Sequence, residues 1–193
     1  YNTDSLLDGD VIICRMYSSL SCSIGSPAIS NAISMRVNPI LMPSVTISVE
    51  SSDTICAKEV VTFTATAING GSSPTYRWLR SGTVITGETN STYLSSSIPN
   101  GAVYTCGMVS NATCASPIYV TSNAIKMTVK PLPQTPSSIK ISSGYLRSSS
   151  ATNNQWLKNG IFIPGATDQF YLPTQDGYYT VVLIINGCTS LLS

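Results

Sequence analysis

The sequence of 193 residues contains no histidine, and only 10% of its residues are charged, with a net charge of +1 at pH 7. Without histidine, Ser-His-Asp and Cys-His catalysis and histidine-based metal sites are excluded. The small, balanced charge gives no basic footprint for nucleic acid. No apolar run approaches the roughly 20 residues that span a bilayer, and no glycine-rich phosphate loop precedes a helix. We therefore expect no enzyme activity, no catalytic residues, no cofactor and no transmembrane segment.

The acidic residues are scattered, and only Asp8-Gly9-Asp10 brings two carboxylates close together in the sequence. Carboxylates in this pattern can bind calcium. Two Asp residues around a glycine more often form a simple turn, and we interpret them that way. The sequence therefore predicts no metal site.

The chain is rich in Ser, Thr, Asn and Gly, and Val, Ile and Tyr supply much of its apolar bulk, which favours strands and turns over helices. Its two tryptophans lie in one repeated motif. Tyr76–Gly87 and Asn154–Gly165 match at a spacing of 78 residues, with Trp, Leu, a basic residue, Gly and Ile in register. In each copy the Trp alternates with exposed polar neighbours, which predicts that Trp78 and Trp156 fill the centres of two small β-sandwiches.

A second repeat relates residues 1–39 to residues 93–131 at a spacing of 92, without a gap. The matched residues include Tyr1, Gly9, Val11, Cys14, Met16, Cys22, Ser30, Asn31, Met35, Val37 and Pro39. A period of about 90 residues is typical of sandwich domains in tandem. We therefore expect the chain to begin in the middle of a unit, with its front half missing.

These patterns predict an all-β protein of tandem immunoglobulin-like β-sandwich domains. Residues 1–40 form the C-terminal half of one unit, residues 44–130 a complete unit, residues 131–136 a stiff proline-rich linker, and residues 137–193 a shorter module. The last module ends where a further strand is expected, so we expect it to be incomplete at its C-terminus.

Two tyrosines mark the sixth strand of such a sandwich. Tyr104-Thr105-Cys106 has the Tyr-x-Cys spacing of that strand, and Tyr179 follows a glycine corner in the last module. The usual cysteine partner of Cys106 is replaced by Ala65, which predicts that the usual inter-sheet disulfide is absent.

Several motifs together resemble a known family of repeats. They are Ile55-Cys56, Val61-Thr62-Phe63-Thr64-Ala65-Thr66, Asn69-Gly70-Gly71, Pro74-Thr75-Tyr76-x-Trp78, Ser110-Asn111-Ala112-Thr113-Cys114 and Thr121-Ser122-Asn123-Ala124-Ile125. They resemble the immunoglobulin-like, PKD-like repeat of very large secreted proteins of Bacteroidota. The last module resembles a related module, with Asn154-Gln155-Trp156-Leu157-Lys158-Asn159-Gly160 and Asn186-Gly187-Cys188-Thr189-Ser190. That module often precedes the sorting domain read by the type IX secretion system. The resemblance departs at Ile12, which replaces Tyr104, and in the last module, which lacks a counterpart of Cys56.

Six cysteines in an exported chain predict at least one disulfide, and we expect at least one in each complete unit. The pairs Cys14–Cys22 and Cys106–Cys114 share one spacing, and a hairpin could close each locally. The resemblance instead implies Cys56–Cys114, because related modules carry cysteines at those two places. The strand map puts Cys56 and Cys114 at opposite ends of the sandwich, so the two arguments disagree. We lean to Cys56–Cys114, with Cys106 a buried thiol opposite Ala65 and the state of Cys188 open.

Surface chemistry gives weaker signals. Asp4-Ser5-Leu6 and Asp53-Thr54-Ile55 resemble the O-glycosylation motif of exported Bacteroidota proteins, which implies modification of Ser5 and Thr54. The exposed aromatic residues have two interpretations: a sugar- or protein-binding surface, or strand packing and contacts between domains. These residues are Tyr17, Tyr119, Tyr145 and Phe162.

We therefore expect a non-catalytic spacer or stalk region of a large extracellular adhesin at the cell surface, with gliding motility as one setting. The resemblance implies as partners the neighbouring repeats, the type IX secretion machinery, and surface glycans or other cell-surface proteins. The alternative is an accessory carbohydrate- or protein-binding module of a secreted hydrolase, which a linear aromatic platform on one face would favour.

Overall fold

A computed structural model describes residues 2–50, 52–141 and 143–193 of the chain. Tyr1, which the sequence matches to Tyr93, lies outside these residues. The described residues form strands, turns and irregular loops without a helix, so the prediction of an all-β protein is confirmed. Among these residues there is accordingly no helix long and apolar enough to cross a membrane.

The N-terminal ribbon, residues 2–43, consists of two short antiparallel pairs. Its strands are β1 (Val11–Ile12), β2 (Arg15–Met16), β3 (Ala28–Ile29) and β4 (Ile33–Ser34), with β1 paired to β4 and β2 to β3. None of residues 2–42 is buried. A two-stranded ribbon has no second layer to cover its apolar side chains, so Val11, Met16 and Ile29 are each more than half exposed.

The central segment, residues 44–130, contains two larger sheets and one short parallel pair. Its strands are β5 (Ser44–Val49), β6 (Thr54–Cys56), β7 (Val61–Ile68), β8 (Thr75–Arg80), β9 (Thr83–Val84), β10 (Thr92–Ser95), β11 (Val103–Val109), β12 (Tyr119–Thr121), β13 (Ile125–Lys126) and β14 (Thr128–Lys130). One sheet has the order β10-β7-β5 and the other β12-β11-β8-β9, with β13 also paired to β11. The short parallel pair consists of β6 and β14.

A single apolar cluster lies between these strands, because alternate side chains of each strand point inward. Its buried members are Val45, Ile47, Ile55, Val61, Phe63, Ala65, Trp78, Tyr93, Ala102, Tyr104, Cys106, Met108 and Met127. The aromatic rings pack tightly at its centre, with the Phe63 and Tyr104 ring centroids 4.5 Å apart. The polar end of the indole is also satisfied, since Trp78 Nε1 donates a hydrogen bond to the Asn90 carbonyl oxygen at 2.9 Å.

The C-terminal segment, residues 137–193, has sheets and a core of its own. Its strands are β15 (Ser138–Lys140), β16 (Leu146–Ser148), β17 (Asn154–Lys158), β18 (Ile161–Phe162), β19 (Phe170–Tyr171), β20 (Tyr179–Ile185) and β21 (Cys188–Thr189). The sheet orders are β15-β16-β19 and β18-β17-β20-β21. Buried apolar residues of this segment are Trp156, Leu157, Val181, Val182, Leu183 and Cys188.

The two tryptophans have the same surroundings in the two segments. Trp156 Nε1 donates to the Asp168 carbonyl oxygen at 2.9 Å, twelve residues further along the chain, as Trp78 does to Asn90. Each Trp carbonyl also accepts a hydrogen bond at 2.9 Å from the isoleucine seven residues later. Tyr171 packs on Trp156 with ring centroids 5.8 Å apart, and Tyr93 packs on Trp78 at 5.9 Å.

Candidate functional site: a covalent joint between the central and C-terminal segments

A disulfide joins the central and C-terminal segments. It links Cys56 to Cys188, which are 132 residues apart in sequence, with Cα atoms 5.6 Å apart. Cys56 is the last residue of β6, and Cys188 is the first residue of β21. The prediction that at least one disulfide forms is therefore confirmed.

The pairing of β6 with β14 places Cys56 where the chain leaves the central segment. In this parallel pair Lys130, the last residue of β14, lies opposite Cys56. Three hydrogen bonds hold the turn after Cys56: Cys56 N–H donates to a Glu59 carboxylate oxygen at 3.0 Å, and Glu59 N–H donates to the Cys56 carbonyl oxygen at 3.2 Å. The third runs from Ala57 N–H to the Lys130 carbonyl oxygen at 2.9 Å. The backbone of Cys56 is therefore fixed beside the start of the linker.

A tight turn presents Cys188 to the joint. Asn186 and Gly187 connect β20 to β21, and both have positive φ, 52° and 83°. Asparagine and glycine are the residues that adopt this conformation most readily. The Lys130 ammonium donates a hydrogen bond to the Asn186 carbonyl oxygen at 3.0 Å. A shallow groove lies beside these contacts and is lined by Lys130, Pro131, Leu132, Pro133, Ile185 and Asn186.

The predicted pairing of Cys56 with Cys114 is wrong, because Cys56 is bonded to Cys188. Cys56 lies beside Lys130, where the linker begins, whereas Cys114 is in backbone contact with Leu41, at the N-terminal border of the segment. These are opposite ends of the segment. The hairpin bridges Cys106–Cys114 and Cys14–Cys22 are not formed either, since all four of these thiols are free.

Cys106 is a core thiol. It is fully buried in the same apolar cluster as Ala65. Burial raises the pKa of Cys106 to about 11, because a thiolate would lose its hydration there. This thiol is therefore protonated and inert at neutral pH.

Cys114 is exposed, at the opposite end of the central segment from Cys56. Its carbonyl oxygen accepts a hydrogen bond from Leu41 N–H at 3.0 Å, and the Leu41 carbonyl accepts one from Ser116 N–H at 2.9 Å. The stretch of chain between the ribbon and the central segment thus runs directly past Cys114.

The two tryptophans named from the sequence are fully buried, and the two tyrosines differ. Tyr104 is fully buried, its hydroxyl has no hydrogen-bond partner among the described residues, and burial raises its pKa. Tyr179 is half-buried, and its hydroxyl donates to the Gln175 carbonyl oxygen at 2.8 Å. A tyrosine bonded back to the chain just upstream is the corner found in immunoglobulin-like folds.

Asp8 and Asp10 are both used within the ribbon. Asp8 Oδ1 accepts a hydrogen bond from Val37 N–H at 2.9 Å, and Asp10 Oδ2 accepts one from Leu7 N–H at 2.8 Å. Gly9 occupies the turn between them with φ of 88°. Among the described residues, no three His, Cys, Asp or Glu side chains are grouped so as to hold a metal ion.

Ser5 and Thr54 are both exposed. Thr54 is the first residue of β6, and its hydroxyl donates to Asp53 Oδ1 at 3.2 Å. Ser5 Oγ lies 3.1 Å from the Thr3 hydroxyl. Both hydroxyls are open to solvent, and their modification stays a prediction.

The four surface aromatics do not share a sheet. Tyr17 follows β2, Tyr119 begins β12, Tyr145 precedes β16 and Phe162 ends β18. Tyr119 is 47% exposed and lies across Gly107, where an added Cβ would meet its ring. It borders a shallow depression lined in part by Tyr76, Arg77 and Glu88.

The sequence reasoning missed the bonding partner of Cys56 and the role of Lys130. One signal was available in the sequence. Cys56 has no counterpart in the C-terminal segment, and Cys188 is the only cysteine of that segment. Cys188 therefore has no possible partner within its own segment and can bond only to a cysteine of another segment.

Comparisons with known proteins leave the family open. No family model matches the sequence, and no curated protein matches it. Among solved structures, the chain is similar to the human OSCAR ligand-binding domain at 13% identity and a TM-score of 0.31, covering 80% of this chain and 97% of that one. A likeness this low carries no argument about function.

Proposed function

We propose that the chain is a non-catalytic extracellular spacer, built from immunoglobulin-like, PKD-like β-sandwich units in tandem. The observation that carries this proposal is the Cys56–Cys188 bond, because it joins two segments that each have their own sheets and core. A bond at this place restrains how the two segments move against each other. Such a restraint suits a projecting rod.

The repeated core geometry supports the tandem arrangement. Trp78 and Trp156 share their indole hydrogen bond, their carbonyl hydrogen bond and their packed tyrosine. The ribbon repeats the hydrogen bonds of the central segment as well. Ser30 bonds with the backbone of Cys14 as Ser122 does with Cys106, with N–H to Oγ distances of 2.9 Å in both.

The linker contributes to the same function. Three prolines in residues 131–136 restrict the backbone to extended conformations. The Lys130–Asn186 hydrogen bond and the Cys56–Cys188 disulfide both connect the central segment, before this stretch, to the C-terminal segment after it. With a stiff connection and a covalent bond in parallel, the two segments behave as one rod rather than as freely tumbling domains.

The wider setting follows from the sequence motifs. We assign the chain to a large cell-surface adhesin of Bacteroidota, exported by the type IX secretion system and used in attachment or gliding motility. An oxidising, extracellular location is supported by the disulfide. Neighbouring repeats are its main partners, with glycans or other cell-surface proteins contacted by the tip that the rod projects.

Small-angle X-ray scattering tests the spacer function. The oxidised chain is compared with a variant carrying Cys56→Ala and Cys188→Ala. We expect one narrow distribution of interatomic distances for the oxidised chain and a broader one for the variant. A broad distribution in the oxidised chain, equal to that of the variant, would contradict the proposal.

A second function is favoured by the depression next to Tyr119. It combines an exposed aromatic ring with Arg77 and Glu88 on the open face of a sheet, and aromatic rings beside polar groups are common in sugar-binding sites. The chain would then be an accessory binding module of a secreted hydrolase. Binding of oligosaccharides that is lost in Tyr119→Ala, with folding unchanged, would support this function over the spacer.

A further inference from the structure

Cys114 and Cys188 occupy the same place in two successive segments. Cys106 lies opposite Trp78 in one sheet, and Val181 lies opposite Trp156 in the other. Cys114 comes eight residues after Cys106, and Cys188 seven residues after Val181. Both cysteines therefore follow the equivalent strand, Cys114 in the turn before β12 and Cys188 as the first residue of β21.

The residues that follow the two cysteines support the equivalence. Ser122 Oγ accepts a hydrogen bond from Cys106 N–H at 2.9 Å, and Ser122 N–H donates to the Cys106 carbonyl oxygen at 2.9 Å. Ser193 makes the same two bonds with Val181, at 3.0 and 3.2 Å. Matching hydrogen bonds thus close two stretches of chain: Cys106 to Ser122, which contains Cys114, and Val181 to Ser193, which contains Cys188.

Both of these stretches also form a hydrogen bond with the part of the chain that arrives from the preceding segment. Leu41 N–H donates to the Cys114 carbonyl oxygen at 3.0 Å, and the Lys130 ammonium donates to the Asn186 carbonyl oxygen, two residues before Cys188, at 3.0 Å. In both segments, the backbone at or near the cysteine is therefore in contact with chain that comes from the preceding segment. At one border that preceding segment supplies Cys56, and the bond forms.

The two cysteines differ in burial in a way that fits this pattern. Cys188 is fully buried and bonded to Cys56, whereas Cys114 is exposed and its thiol is free. At a spacing of 92, the ribbon matches only the part of a unit that follows residue 92. At that spacing, no residue of the ribbon matches Cys56.

We propose that Cys114 is a disulfide site for a preceding immunoglobulin-like unit of the same polypeptide, through a cysteine at the position equivalent to Cys56. This inference rests on the proposed tandem arrangement of units. The rule is that a unit gives its Cys56-type thiol to the next unit and receives a bond on its Cys114-type thiol. Cys22, which matches Cys114 at a spacing of 92, faces the unit before that.

The bond forms by ordinary thiol–disulfide chemistry. The two thiols lose two protons and two electrons, and a sulfur–sulfur bond forms between them. The oxidant is a protein disulfide of a thiol oxidoreductase, or oxidised glutathione in the test tube, and it is reduced to two thiols. Cys106 does not compete for the bond, because it is fully buried within the core.

A fusion chain tests the proposal. Residues 44–92 are placed directly before residue 1 of the full chain, which completes the first unit because Tyr1 matches Tyr93. After oxidation with a glutathione buffer, the protein is alkylated without reduction and digested with trypsin. Arg36 precedes only the native copy of Cys56, so the added and native Cys56 peptides differ in mass.

We expect a peptide that joins the added Cys56 to Cys114, with Cys114 protected from alkylation. In the original chain, and in a control fusion whose added copy carries Cys56→Ser, Cys114 should be alkylated. A folded fusion in which Cys114 stays alkylated, or in which the added Cys56 bonds to Cys14 or Cys22, would overturn the proposal.

Folding of the added half is followed separately in a fusion whose native Trp78 and Trp156 are replaced by Phe, so that the added Trp78 is its one tryptophan. An exposed indole there would count against the tandem units themselves, and not against the disulfide rule. A second chain, residues 44–136 joined to residues 44–193, then decides the rule, since it pairs two whole units; its first copy carries Cys114→Ser, so that the two tryptic peptides 81–126 differ in mass. Free Cys114 in the second unit of that chain would overturn the inference.

Discussion

Removing the Cys56–Cys188 bond should lower stability by an amount that the loop length sets. In the chain-entropy account, a bond across 132 residues stabilises by about 5 kcal/mol when both segments unfold together. If the C-terminal segment unfolds alone, the bond closes only the stretch from the linker to Cys188, and the value falls to about 4 kcal/mol. Alanine at both positions avoids placing a hydroxyl at the fully buried site of Cys188.

The assay is equilibrium unfolding in urea, followed by tryptophan fluorescence. One buried tryptophan lies in each segment, so the variants Trp78→Phe and Trp156→Phe each leave one reporter. We expect the unfolding transition of the C-terminal segment to move to lower urea concentration in the double alanine variant. Its free energy of unfolding should fall by up to about 4 kcal/mol, and by less if the two segments stay in contact. Two segments that unfold separately are not a two-state system, so each transition is fitted by itself.

The matched control is Cys22→Ser, which changes an exposed, unbonded cysteine. Its free energy of unfolding should stay within about 0.5 kcal/mol of the original chain. Reduction of the original chain with dithiothreitol should reproduce the double alanine variant. Unchanged midpoints for both tryptophans after loss of the bond would refute the reasoning, since the bond would then restrain neither segment.

Three further outcomes are expected. Trp78→Ala or Trp156→Ala should cost about 3–5 kcal/mol, because each indole is fully buried, and calorimetry should show the loss in the segment concerned. Cys106 should resist iodoacetamide until the chain is unfolded. Because its pKa is raised from 9.0 to about 11, the stability that it contributes is complete below pH 9 and is lost as the pH rises through about 11, which urea titrations at several pH values can follow. Tyr119→Ala and Phe162→Ala should each change stability by less than about 1 kcal/mol, since both rings are about half exposed; a larger loss in thermal unfolding would mean that these rings pack against a neighbouring segment.

The sequence by itself determined the local structure. Alternation of apolar and polar residues around Trp78 and Trp156 predicted two strands with inward tryptophans, and both tryptophans are fully buried. Asn69-Gly70-Gly71 consists of residues that favour turns, and β7 ends just before it, at Ile68. These features depend on neighbours in the sequence, because the side-chain period of a strand and the φ of a turn are set within a few residues.

The partner of Cys56 was decided only by the tertiary structure. A disulfide needs two Cα atoms within about 7 Å, and sequence spacing gives no measure of that distance across 132 residues. The motif resemblance pointed to Cys114, while the expected strand positions already put Cys114 at the far end. The path of β14 beside β6 and the turn at Asn186 and Gly187 brought Cys188 to Cys56 instead. Contacts of this kind depend on how two segments that each have their own sheets meet, which no local pattern of residues encodes.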